Sequence, residues 1–148
     1  MNNNPPRYYI LVSDIENWEK SFEIETFGFS EKTKGSWNKS CVGELVAFYV
    51  MSPIKKIVGF GIITEKVIEE DLVWPDELLF ERSLLKYRLK FNIIFKLDDY
   101  FKGIPVPTNL IFNQSRIIIP KELFFDLIKK SEKEWNVKIE KKIPLQIN

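Results

Sequence analysis

The sequence predicts an α+β fold built on a small, strongly curved sheet, and three observations carry that expectation. Apolar runs rich in β-branched and aromatic residues recur at 8–12, 44–51, 56–67 and 85–95. The stretches after Ser13 and after Pro120 switch instead to helical spacing. Gly59 and Gly61 stand two apart inside one apolar run, on one face, where missing side chains admit a bulge, a bend or a close approach. With 148 residues, 45% of them hydrophobic and 29% charged, the chain can bury one core and is read as a single domain over residues 7–148. Residues 1–6, Met-Asn-Asn-Asn-Pro-Pro, read as a disordered polar arm and carry no signal-peptide pattern.

In chain order, Tyr8-Tyr9-Ile10-Leu11-Val12 is a buried strand ending at Ser13. Ser13-Asp14-Ile15-Glu16 has the form of a capping box, so a short helix carrying Asn17, Trp18 and Phe22 should start here with Ser13 bonding the Glu16 amide. Residues 26–39 read as a loop with aromatic punctuation. The runs at 44–51 and 56–67, broken by Ser52-Pro53, make a hairpin. Residues 71–82 form a loop or one helical turn around Trp74-Pro75-Asp76-Glu77. The run at 85–95 is a long strand with Lys86, Arg88 and Lys90 on the face opposite Leu85, Tyr87, Leu89 and Phe91. Two short strands are expected at 109–112 and 116–119. Pro120, with Glu122 in the first turn, starts a helix to about Glu134, and residues 135–139 are a final strand or a tail.

Composition removes several chemistries. Histidine is absent, which excludes Ser-His-Asp and Cys-His catalysis and histidine-bound zinc. The single cysteine, Cys41, cannot form an internal disulfide, fits a reducing compartment and reads as a small packing residue. Twenty-two basic against twenty-one acidic residues leave a net charge of +1, so any nucleic-acid contact must come from a local patch. No apolar run reaches the length of a membrane span, and a cytoplasmic location without membrane contact is expected. Gly59-Phe60-Gly61 lacks the third glycine of a dinucleotide fingerprint. The pairs Glu69-Glu70 and Asp98-Asp99 read as solvated turns, and no calcium-loop pattern is present. No metal or cofactor is expected.

The aromatic residues are the remaining signal. Phe27, Phe29, Trp37, Trp74 and Phe80 fall in segments read as loops and linkers, where recognition residues concentrate. Each taken singly reads as a residue packing beneath its loop; as a group they suggest a pocket that stacks a base. Lys86, Arg88 and Lys90 are either a phosphate-binding row or an ordinary solvated strand face.

The ordered series of motifs resembles the EVE domain, a PUA-like family related to the YTH readers of methylated adenine. The resemblance runs from about residue 7 to 97. Its marks are Tyr8-Tyr9-Ile10-Leu11-Val12-Ser13 with Glu16-Asn17-Trp18, then Phe27-Gly28-Phe29, Gly43-Glu44-Leu45-Val46-Ala47-Phe48-Tyr49-Val50, Lys56-Ile57-Val58-Gly59-Phe60-Gly61, Trp74-Pro75 and Tyr87-Arg88-Leu89-Lys90. It implies a compact PUA-like β-barrel of five to six mostly antiparallel strands with flanking helices. It also implies binding of one modified nucleobase, of methylated cytosine or adenine type, without catalysis. In that scheme Ser13, Asn17 and Trp18 lie beside the base pocket. Phe27 replaces the tryptophan usual in relatives, Trp74 supplies a second wall with Phe80 as its rival, and Phe29 accompanies Phe27. Lys86, Arg88 and Lys90 would steer the phosphates of DNA or RNA. Two alternatives stay open: an amidohydrolase of modified nucleosides like those in the related ASCH group, and a protein-interaction module.

Overall fold

Strand β1 (Tyr8–Ser13) lies inside the sheet, between β3 (Leu45–Val50) and β6 (Arg116–Ile119). The computed structural model describes residues 7–144 apart from 108, 111 and 113. The remaining elements are α1 (Ile15–Ile24), β2 (Thr26–Phe29), α2 (Lys34–Lys39), β4 (Lys56–Ile68), α3 (Pro75–Phe80), β5 (Tyr87–Lys96) and α4 (Lys121–Trp135). Six strands form one sheet in the order β2-β5-β4-β3-β1-β6, with β1 and β3 parallel and every other neighbouring pair antiparallel. The sheet curls into a half-barrel in an α+β fold. Register shifts at Phe48/Tyr49, Phe60/Gly61 and Ile63/Glu65 cluster around Gly59 and Gly61 and sharpen that curl.

Both faces of the sheet are covered, and this explains the unbroken apolar runs. Tyr9, Leu11, Val46, Phe48 and Phe91 point to a core shared with Trp18 and Phe22 of α1. Ile10, Val12, Ala47 and Phe60 point the other way, against Phe124, Leu127 and Ile128 of α4. The helical spacing after Pro120 therefore records a buried stripe. No helix among the described residues is long and apolar enough to cross a membrane.

Several local expectations are corrected. The cap of α1 is Asp14, one residue beyond Ser13; its Oδ1 accepts the Asn17 N–H at 2.8 Å. Asp14→Ala should cost about 1 kcal/mol of stability, measured by urea unfolding, and an unchanged midpoint would show that the cap is idle. Residues 26–39 hold β2 and α2 rather than a loop, because Thr26–Phe29 pairs antiparallel with β5. Lys34–Lys39 is pinned by the Trp37 indole N–H, which donates to the Arg88 carbonyl at 3.0 Å. The expected strand at 109–112 includes residue 111, outside the described residues; Asn109, Leu110 and Phe112 are not in a strand. Of the final strand or tail expected at residues 135–139, the tail is found. Glu132 accepts the Ile139 and Glu140 N–H groups at 2.7 and 3.0 Å, and Ile139 is buried. Cys41 is exposed and free, so it is not a packing residue. The expected arm at residues 1–6 lies outside the described residues.

Candidate nucleic-acid interface

Because β1 and β3 run parallel, their C-terminal ends, Ser13 and Val50, open on the same edge of the sheet, where antiparallel β6 begins. Backbone bonds hold these ends together: the Val12 N–H donates to Ser115 O and the Met51 N–H to Ser13 O, each at 2.9 Å. Helix α2 and the turn before it close over the edge. The Ser30 N–H donates to Thr33 Oγ1 at 2.9 Å, and the Trp37 ring rests against Tyr87 with the Lys66 ammonium 4.6 Å above it.

Between these parts lies a cavity of about 620 Å³. Val12 and Met51 line it from the strand ends, and Lys32, Thr33, Gly35, Ser36 and Lys39 from the α2 side. Phe112, Gln114 and Ser115 line it from the segment leading into β6. That volume suits one nucleotide-sized ligand. The Phe112 ring stacks parallel on Tyr49 at 4.0 Å, so its orientation is fixed by a neighbour. Ser36, Ser115 and Gln114 bring donors and acceptors of the kind that read a base edge. Among the described residues neither Lys32 nor Lys39 has a carboxylate within 4.0 Å, and no carboxylate lines the cavity. The local field is therefore positive although the chain is nearly neutral. Next to Ser115, the Arg116 guanidinium is buried 4.2 Å over the Tyr9 ring and 4.0 Å from Glu44, and burial pushes the Tyr9 hydroxyl well above its usual range.

The residues singled out from the sequence fall elsewhere. Ser13 is half-buried at the end of β1 beside Val12, and Asn17 is half-buried in the first turn of α1; neither borders the cavity. Trp18 is fully buried, donates its indole N–H to Tyr49 O at 2.7 Å and stacks on Phe22. Phe27 and Phe29 are core residues of β2, not loop aromatics. Trp74 is 1% exposed, donates its indole N–H to Ser21 Oγ at 3.0 Å and lies beneath the Arg88 guanidinium. As folded, Trp18, Phe27, Phe29 and Trp74 offer no open ring face. Phe80 is exposed on α3 and does not border the cavity.

The expected cationic row is likewise broken up. Arg88 is buried, with its Nε–H on Leu85 O at 3.0 Å and its Nη groups on Asp71 and near Glu77. Lys86 sits 3.8 Å from Glu31, and Lys90 3.5 Å from Glu69. The physical reason is that Asp71 and Glu77, from the segment between β4 and β5, cover Arg88, while Lys86 and Lys90 stay partly exposed beside Glu31 and Glu69. Lys32, Lys39, Phe112 and Gln114 escaped sequence reasoning because they come from two segments far apart in the chain. The available signal was the parallel pairing of β1 and β3, which a sequence pattern does not display.

No protein-family model matches the chain, and no curated protein matches it. Its fold is nonetheless shared with solved structures. It is similar to an ASCH protein of Zymomonas mobilis at 11% identity and a TM-score of 0.58, over 84% of this chain and 96% of that one. It is similar to the YTH domain-containing protein mmi1, solved with RNA, at 9% identity and a TM-score of 0.57, over 89% and 87% of the two chains. A third likeness is to the YTH domain of Zygosaccharomyces rouxii MRB1 in complex with N6-methyladenosine RNA, at 14% identity and a TM-score of 0.53, over 86% and 85%. At these identities the likeness establishes the fold alone, one shared with these ASCH and YTH structures.

Proposed function

We propose that the chain is a non-enzymatic, EVE-like module that takes one modified nucleobase of a DNA or RNA strand into the cavity between α2 and the ends of β1 and β3. The observation that carries the proposal is the cavity's lining: one fixed aromatic ring, several neutral donors and acceptors, and two lysines without carboxylate partners. The base stacks on Phe112, while Ser36, Ser115 and Gln114 meet its edge. Ser13 and Asn17 support the strand end behind them, and Lys32 and Lys39 attract the flanking phosphates. Further support comes from the shared fold, since the YTH domain of the Z. rouxii protein was solved with N6-methyladenosine RNA. The lining favours binding over the hydrolase alternative, because its lysines have no carboxylate beside them to form an acid–base pair.

The test is fluorescence anisotropy with short single-stranded RNA and DNA oligonucleotides, each carrying one N6-methyladenine, 5-methylcytosine or unmodified base. One modified strand should bind most tightly, and Phe112→Ala should weaken it by about 1–3 kcal/mol. Lys32→Ala and Lys39→Ala should weaken all strands alike and each lower the salt slope by about one. If Phe112→Ala bound every strand as the parent does, the cavity would not be the base site.

A further inference from the structure

A second surface, away from this cavity, is built to be covered. Helix α3 exposes three consecutive apolar side chains, Leu78 at 58%, Leu79 at 72% and Phe80 at 61%, beside exposed Ile68 and Leu72. A loosely held loop could turn such residues inward; this one cannot. The buried Glu77 carboxylate accepts the N–H groups of Val73, Trp74, Leu84 and Leu85, so the segment is tied on both sides of the helix. The knob is therefore presented in a fixed shape, with its ordering entropy already spent in folding. In the flanking sequence Glu70, Asp76 and Glu81 are exposed carboxylates against one exposed base, Arg82, while Asp71 is already paired with Arg88. That rim repels nucleic acid and anionic membranes and favours an apolar site bordered by cations.

The chain carries such a site. A groove of about 650 Å³ has Pro105, Val106 and Pro107 along it over the buried Ile104, with Lys56, Lys133 and Lys130 at its border, Lys130 also meeting Asp126 at 3.1 Å, and Glu134 the one carboxylate in its lining. Lys56 opens β4, whereas Ile68 closes it and leads into α3. At about 3.3 Å per residue, the thirteen residues of β4 hold groove and knob at opposite ends of the longest strand. A molecule thus cannot seat its own knob, but a second copy can.

We propose that the protein self-associates head to tail, with Leu78, Leu79 and Phe80 of one copy in the Lys56–Lys130–Lys133 groove of the next. The contact is heterologous, so each addition leaves one knob and one groove free, and short chains of molecules form as concentration rises.

Sedimentation velocity of the full chain, from micromolar to near-millimolar concentration and at low and high salt, tests this. The parent's average mass should climb with concentration and fall back at high salt. Leu79→Asp, which spoils the knob, and Lys130→Glu/Lys133→Glu, which spoils the groove, change exposed side chains. Each should keep the parent's circular dichroism and weaken association by about thirtyfold or more, the scale of an interface hot spot. Mixed, the two variants retain one good knob and one good groove between them and should form a dimer and nothing larger. A parent that stays monomeric throughout, an association indifferent to either variant, or a mixture that stays monomeric would each overturn the proposal.

Discussion

Glu77→Ala should destabilise the protein by about 3–5 kcal/mol, the range for breaking a buried ionic cluster on one side. Glu77 is fully buried; its Oε1 and Oε2 accept four backbone N–H groups, and Oε1 lies 3.6 Å from Arg88 Nη2. Truncation leaves those amides without acceptors and the buried Arg88 with Asp71 and the more distant Glu69 as its remaining carboxylates. Burial pushes the Glu77 carboxyl up, but the amides of Leu85, Val73, Leu84 and Trp74 outweigh this and hold it below its ordinary value of 4.5. A carboxyl depressed in the folded state stabilises above its unfolded value, and that contribution disappears as pH falls through the folded value. The parent should therefore lose this share of stability on acidification below about pH 4.5. Glu77→Gln, less stable at neutral pH, should lose correspondingly less. Urea unfolding across the acid range checks both, and parallel pH profiles for parent and Gln variant would refute the assignment.

Gly59→Ala should cost about 1–3 kcal/mol or more, at the upper end for overpacking, because the obstruction is backbone. A Cβ at residue 59 would sit 2.8 Å from Lys96 Cα and closer still to the Phe95 carbonyl oxygen. Gly59 pairs with Phe48 on one side and Lys96 on the other, so relief requires parting β4 from one of its neighbours. Gly35 is the control. A Cβ there meets nothing within 4 Å, and as a helix residue Gly35→Ala should leave stability unchanged or raise it by about 0.5–1 kcal/mol. Thermal unfolding of the two variants side by side measures the contrast; equal midpoints would mean that the close approach at Gly59 is not needed.

The strands β1, β3, β4 and β5 were legible because each carries enough apolar residues in sequence to report burial by itself. The α4 helix was legible for the same reason, with Leu123, Phe124, Leu127 and Ile128 at helical spacing. The four residues of β2 and the six of α2 fall below the length at which a period can be read, and Lys-Gly-Ser-Trp-Asn-Lys has little intrinsic helix preference. Long-range partners form them instead: β5 for one, and the Arg88 carbonyl and Lys66 around Trp37 for the other. The aromatic residues misled for a related reason. Sequence places Trp74 between elements, but only the knot around Glu77 and Arg88 decides that its ring is covered. The cavity was invisible because its lining comes from residues 12, 32, 33, 35, 36, 39, 51, 112, 114 and 115, which the sheet order and the anchoring of α2 bring together.

That sheet order also dictates when the protein can be made whole. Tyr8 lies opposite Leu45 on one side and Ile119 on the other, so β1 has no neighbour within its own stretch of chain. Its aromatic and aliphatic residues wait in the open until β3 has been synthesised, and its second edge waits until residues 116–119 emerge. Such dependence on distant pairings slows folding and leaves a sticky strand exposed in the growing polypeptide. The growing chain therefore keeps β1 incompletely paired until β6 has emerged, and truncations that stop short of β6 should yield aggregates rather than smaller domains.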